Sequence, residues 1–167
     1  EVDIEGEAIE DGNTLEENAF KKALFAQQHA KQPSWTMVDD TGLFITALHG
    51  AHGIKAARWA GDNASTDEIT QYTLEKLKDK LDRSAVFQTV VVLISPTGKK
   101  YSFSGQVKGY LSQAPKTKPQ PKIPYSALFS PEGTNKTWAE MTVEEENAIS
   151  HRGEAFRQVV EFLQNHV

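Results

Sequence analysis

Asp39 and Asp40 stand in succession after the short run Trp35-Thr-Met-Val38 and just before Thr41-Gly42. Along an extended chain successive side chains point to opposite faces, so one of two adjacent carboxylates serves a given site. With Glu10 and Glu17 earlier in the chain, they can supply the one or two carboxylates that a Mg²⁺–phosphate site uses. A carboxylate beside the metal can also act as general base on a water. The same two residues can equally satisfy turn N–H groups, as Asp does in Asx-turns. Spacing alone leaves both readings open.

Ser150-His151-Arg152 is the second constellation. Arg152 falls three residues after Ile149 and four before Phe156, on a stripe expected to face the protein. A guanidinium there needs a structural carboxylate, a ligand carbonyl or a phosphate. His151 adds a group able to donate or accept. With Ser150 as an N-cap, both residues enter the first helical turn, whose free N–H groups favour anions and carbonyls. Arg58, in a Gly-rich loop, and Lys22, on a helix, are candidate phosphate cations or simply solvated side chains. Tyr125 and Phe129 can stack on a base or anchor the loop before them to the core. His29, His49, His52, His151 and His166 form no i,i+4 pair, so a zinc site is not expected.

These residues need elements to position them. Thr14 and Glu17 make a T-x-x-E capping box, which predicts a helix running to about His29 with Ala19, Phe20, Ala23 and Leu24 on one face. Trp35–Val38 and Leu43–Ala47 are predicted strands around a turn at Asp39–Gly42, and Val2–Ile4 could end an earlier strand. Ser65 or Thr66 can cap a second helix with Ile69, Leu74, Leu77 and Leu81 as its stripe. Val86–Ser95 is β-branched and nearly continuous, hence a central strand. Lys100–Ser104 returns antiparallel after a Pro96–Lys99 turn, and Gln106–Leu111 can continue the meander. Gln113–Pro124 is rich in proline and lysine and reads as a surface loop. A last helical region starts at a second capping box, Thr142 with Glu145, and can break into two helices at Ser150. The sum is one α/β domain with a mixed central sheet and flanking helices over residues 1–167.

Composition narrows the function classes. The chain has 167 residues, no cysteine, and 23 acidic against 18 basic residues, for a net charge of −5. That length suits one domain of ordinary size. The absence of Cys excludes disulfides and thiolate metal ligation. An acidic balance argues against a nucleic-acid partner. No stretch approaches the roughly 18 apolar residues of a spanning helix and no signal-peptide pattern opens the chain, so no membrane association and a cytoplasmic location are expected.

Taken in order, these segments resemble the Ham1/RdgB-type inosine triphosphate pyrophosphatases. The resemblance rests on Glu10–Ala19, Val38–Leu43, Gly53–Gly61, Arg83–Phe87, Gly105 and Gly109, Ala139–Met141 and Asn147–Arg152. It implies two lobes around a nucleotide cleft, a homodimer, and Mg²⁺-dependent water attack on a purine nucleoside triphosphate, giving monophosphate and pyrophosphate. It further implies metal-binding roles for Glu10, Asp39 and Asp40, with Asp40 catalytic. Lys22 and Arg58 fall to the phosphates. Tyr125, Phe129, Ser150, His151 and Arg152 fall to a 6-oxopurine base of the hypoxanthine or xanthine kind.

The pattern departs from that family in three places. The family opens with a strand and a Thr/Ser-x-Asn-x-x-Lys turn, which this chain, beginning at Glu1, does not show; it reads as lacking the family's first strand–helix unit. Its Phe-Gly-Tyr-Asp-Pro segment is here Ile123-Pro-Tyr-Ser-Ala127, and a lysine before the Ser-His-Arg motif is here Glu146. Fewer cations weaken triphosphate binding. A family member that binds a nucleotide or a protein partner without hydrolysis is therefore the alternative expectation.

Overall fold

A computed structural model describes residues 6, 8–50, 53–121 and 123–166. The strand end at Val2–Ile4 and the ring of His52 lie outside them. Among the described residues, four α-helices accompany a four-stranded antiparallel sheet whose strands lie in chain order, so the expected α/β class is realised. By contacts the chain forms two compact units. The first holds residues up to Thr41, Thr89–Gly105 and the stretch from His151; the second holds Gly42–Gln88 and Gln106–Ser150. No helix among the described residues is long and apolar enough to cross a membrane.

In the first unit, α1 (Leu15–Gln28) starts where Thr14 accepts a hydrogen bond from the Glu17 N–H at 3.0 Å. The Glu17 carboxylate reaches back one residue further than a capping box requires, to the Asn13 N–H at 2.6 Å. α4 (His151–His166) buries Ala155 and Val159 against Val91 and Leu93, with Trp35, Tyr101, Phe103, Phe156, Phe162 and Leu163 packed around them. Gln27 ties α1 to the end of the central strand through the Ser95 carbonyl, 3.1 Å away.

The second unit has an aromatic core. Phe129 stacks on Trp138 at 4.9 Å and meets the edge of Phe87 at 4.8 Å; Leu43, Ile45, Ile69, Leu77 and Leu111 complete it. α2 (Thr66–Lys76) carries a complete capping box, Ser65 with Glu68. α3 (Val143–Ile149) carries another, Thr142 with Glu145. The Pro/Lys loop is bound down by buried contacts: the Thr70 hydroxyl donates to the Pro124 carbonyl at 2.9 Å, and Ser126 Oγ donates to the Ile123 carbonyl at 2.7 Å.

Three strand expectations change. β1 (Thr36–Ile45) runs unbroken through Asp39–Gly42, so the turn expected there is absent. The reason is lateral pairing: Thr41 is β-branched, and its hydroxyl lies 2.7 Å from that of Thr89 on β2 (Ser84–Ile94). The two strands expected at 100–104 and 106–111 are one, β3 (Lys100–Leu111). A fourth strand, β4 (Phe129–Pro131), pairs antiparallel with β3 with Gly109 opposite Pro131. In the last region, the break at Ser150 is real: its backbone is extended (φ −70°, ψ 139°), and α3 and α4 are separate helices.

Candidate active site

The acidic site is built in the first unit from α1, the segment before it and β1. Lys22 on α1 places its ammonium 2.6 Å from Asp40 Oδ1 and 3.5 Å from Glu10 Oε1. Asn18, one turn earlier and 2 % exposed, accepts the Gly12 N–H at 2.8 Å. A Cβ on Gly12 would lie 2.6 Å from Asn18 Oδ1 and 2.8 Å from Glu17 Cβ. Glycine thus allows the chain carrying Glu10 to close on the helix, and Asn18 pins it there. Asn18 was not singled out from the sequence; the available signal is an amide on the same helical face as the buried Leu15, Ala19 and Ala23.

Burial pushes the Asp40 carboxyl above its usual range, because the charged form loses water; Lys22 and, more weakly, the nearby Asn18 amide oppose that rise. Asp40 Oδ2 is buried without a hydrogen-bond partner. A carboxylate oxygen left so costs free energy unless something binds it. Glu10 and Asp40 are hard oxygen donors, and Mg²⁺ is commonly held by one or two carboxylates with substrate phosphates supplying the rest. The residues present fit such an ion, although no group of three or more acidic or His side chains among the described residues could hold a metal by itself.

Asp39 corrects one expectation. Its side chain leaves β1 on the other face and accepts from Arg152 Nη2 at 3.1 Å, so its hydrogen bond goes to α4, and it acts on Asp40 only through its charge, which adds weakly to the upward shift. Strand alternation is the cause. Arg152 corrects another: it is 62 % exposed and does not face the core. It lies over the Phe156 ring at 5.3 Å, leaving its remaining donors available to solvent or a ligand. His151 beside it is mostly buried. Desolvation, helped by the Arg152 charge and resisted by Asp39, lowers its pKa to about 4, so the imidazole is neutral at pH 7 and can both donate and accept.

The other candidates belong to the second unit. Ser150 is 6 % exposed. Arg58 is exposed at the end of the 3₁₀ segment Gly53–Arg58. That segment is held by the Tyr125 hydroxyl, which donates to the Ala56 carbonyl at 2.7 Å. Tyr125 and Phe129, expected to stack on a base, are 3 % and 0 % exposed. Their rings are committed to the aromatic core and offer no open face.

Known proteins resemble this chain in sequence and in fold. The Ham1 family profile matches residues 1–162. A dITP/XTP pyrophosphatase of Geobacter sulfurreducens is 37% identical over 159 residues, which is 94% of this chain and 78% of that protein. The solved Ham1 protein of Staphylococcus aureus superposes with a TM-score of 0.87 at 31% identity, over 98% of this chain and 83% of that one. A Ham1 protein from Coxiella burnetii gives 0.87 at 34% identity, over 96% and 81%. With the family profile matched over residues 1–162, a relative 37% identical over most of its length, and a fold match over nearly the whole chain, the protein belongs to the Ham1 family.

Proposed function

We propose that this chain hydrolyses non-canonical purine nucleoside triphosphates, of the ITP, dITP or XTP kind, to monophosphate and pyrophosphate with Mg²⁺. The observation that carries the proposal is the Glu10–Lys22–Asp40 cluster, in which a buried carboxylate keeps one oxygen free of protein partners. Relatives matched over most of their length are named dITP/XTP pyrophosphatases, which supports the substrate class.

Glu10 and Asp40 would hold the metal, which when bound polarises phosphate oxygens and lowers the pKa of water. Asp40, with its affinity for protons raised by burial, is suited to accept the proton of the attacking water. Lys22 provides positive charge for the phosphates. Arg58 is offered as a further phosphate contact, from its place in the matched Gly53–Gly61 segment.

Base selection falls to Ser150, His151 and Arg152. A neutral imidazole and the free guanidinium N–H groups present donors to a 6-oxo group. A 6-amino group would leave those donors unpaired, and unpaired buried donors reject a ligand strongly. Asp39 orients this reader by fixing Arg152 at 3.1 Å. Assembly as a homodimer is part of the same proposal, and sedimentation of the purified protein tests it.

Pyrophosphate release from ITP, XTP, dITP and ATP with Mg²⁺, run beside Asp40→Asn, tests the activity. Turnover of the 6-oxopurines well above ATP and above the variant supports it. If no nucleotide turns over faster than with the variant, hydrolysis is refuted and the binding-only alternative, favoured by Glu146 in place of a lysine, takes over.

A further inference from the structure

Two carboxylates converge on one ammonium in the acidic corner. Asp40 and Glu10 have side chains 13% and 29% exposed, and Lys22, at 23%, contacts both. Without a cation, two like charges partly withdrawn from water would repel. The other nearby lysines are engaged elsewhere: Lys21 pairs with Asp11, and Lys100 with Glu16 at 2.7 Å. Lys22 is thus a positive charge in contact with both members of the pair.

A divalent cation bound by the same oxygens meets an ammonium already bonded to one of them. Resting on the metal-dependent reading above, we propose that Lys22 is a built-in counter-ion of the Glu10–Asp40 pair, which a divalent cation must displace from Asp40 Oδ1. Asp40 Oδ2, buried and without a partner, is the oxygen open to the incoming ion first. The displaced ammonium sits on a flexible four-carbon stem and is then free to meet an anion. Lys22 thereby keeps metal affinity low until a negatively charged ligand can take up its charge, so the metal and an anionic ligand favour each other's binding.

The test is Mn²⁺ binding to the nucleotide-free protein, by calorimetry and by the electron paramagnetic resonance of free Mn²⁺. Lys22→Met is expected to bind Mn²⁺ roughly tenfold or more tightly than the unaltered protein, since a nearby positive charge is gone. Lys22→Arg, which keeps the charge, should stay within about threefold. Lys21→Met is the control for general electrostatics, because its partner is Asp11; it should change little. If Lys22→Met does not fold, Lys22→Gln carries the same expectation. Equal or weaker binding in the uncharged variants overturns the counter-ion role alone. If folded protein and variants alike bind no Mn²⁺ at millimolar concentration, the metal reading falls and the counter-ion role with it.

Discussion

Removing one hydroxyl separates two roles for Tyr125. Its oxygen donates to the Ala56 carbonyl at 2.7 Å, with Tyr125 3 % and Ala56 7 % exposed. Burial also raises the phenol to about 12, so the hydroxyl keeps its proton at any working pH. Tyr125→Phe retains the ring against Phe87, 6.3 Å away, and deletes the hydroxyl with its bond to Ala56 and its contact with Thr73. The Ala56 carbonyl then stays buried without that bond, a cost of about 2 kcal/mol. For a chain of this size that lowers Tm by roughly 4–8 °C. Urea unfolding should show a lower midpoint with an unchanged slope, since the surface exposed on unfolding is the same. KM for ITP should rise modestly and by a similar factor for ATP, because the segment ending in Arg58 loosens without any change in base contacts. An unchanged Tm together with a KM increase confined to one base would refute the core assignment and restore base stacking.

Three other outcomes follow from the same structure. A Cβ at Gly105 would lie 2.1 Å from the His151 carbonyl oxygen and 2.8 Å from the Ala155 nitrogen, both backbone atoms. Gly105→Ala should therefore displace the first turn of α4, destabilise by about 1–3 kcal/mol, and reduce the ITP-to-ATP ratio of kcat/KM in steady-state assays. His151 has a folded pKa of about 4 against 6.5. Unfolded chains then bind more protons between those values, so its contribution to stability is complete above pH 6.5 and falls by about 3 kcal/mol towards pH 4; His151→Gln should flatten that part of a stability–pH curve measured by denaturant unfolding. Glu146→Lys reverses charge where the family carries a cation and should lower KM for ITP several-fold at low salt. The gain should shrink as salt rises towards molar concentration.

What the sequence made legible follows from how far apart the deciding partners lie. Helix starts were readable because a cap and its partner are three residues apart, as at Thr14, Ser65 and Thr142. The divergence of Asp39 and Asp40 was readable too, since alternation along a strand is local. The continuity of β1 was not: Asp-Asp-Thr-Gly has turn chemistry, and its fate is decided by Thr89, 48 residues from Thr41. Phe129 and Tyr125 were ambiguous for the same reason, as their surroundings come from Phe87, Trp138 and Ala56. The three residues of β4 are too few to show a period. Arg152 was placed on the inner stripe by counting from Ile149 as if one helix ran through Ser150. The extended backbone at Ser150 ends α3 there, and the buried face of α4 is carried by Ala155 and Val159, one position round from Arg152, Phe156 and Val160, so Arg152 and Val160 are 62% and 53% exposed.

The most direct test of the proposed chemistry is the product ratio from ITP and from ATP, followed by ³¹P NMR with Mg²⁺ and repeated with Asp40→Asn. IMP and pyrophosphate should appear in equal amounts, ATP should be consumed far more slowly, and the variant should leave ITP intact. IDP with inorganic phosphate, equal consumption of the two nucleotides, or undiminished turnover by Asp40→Asn would contradict it.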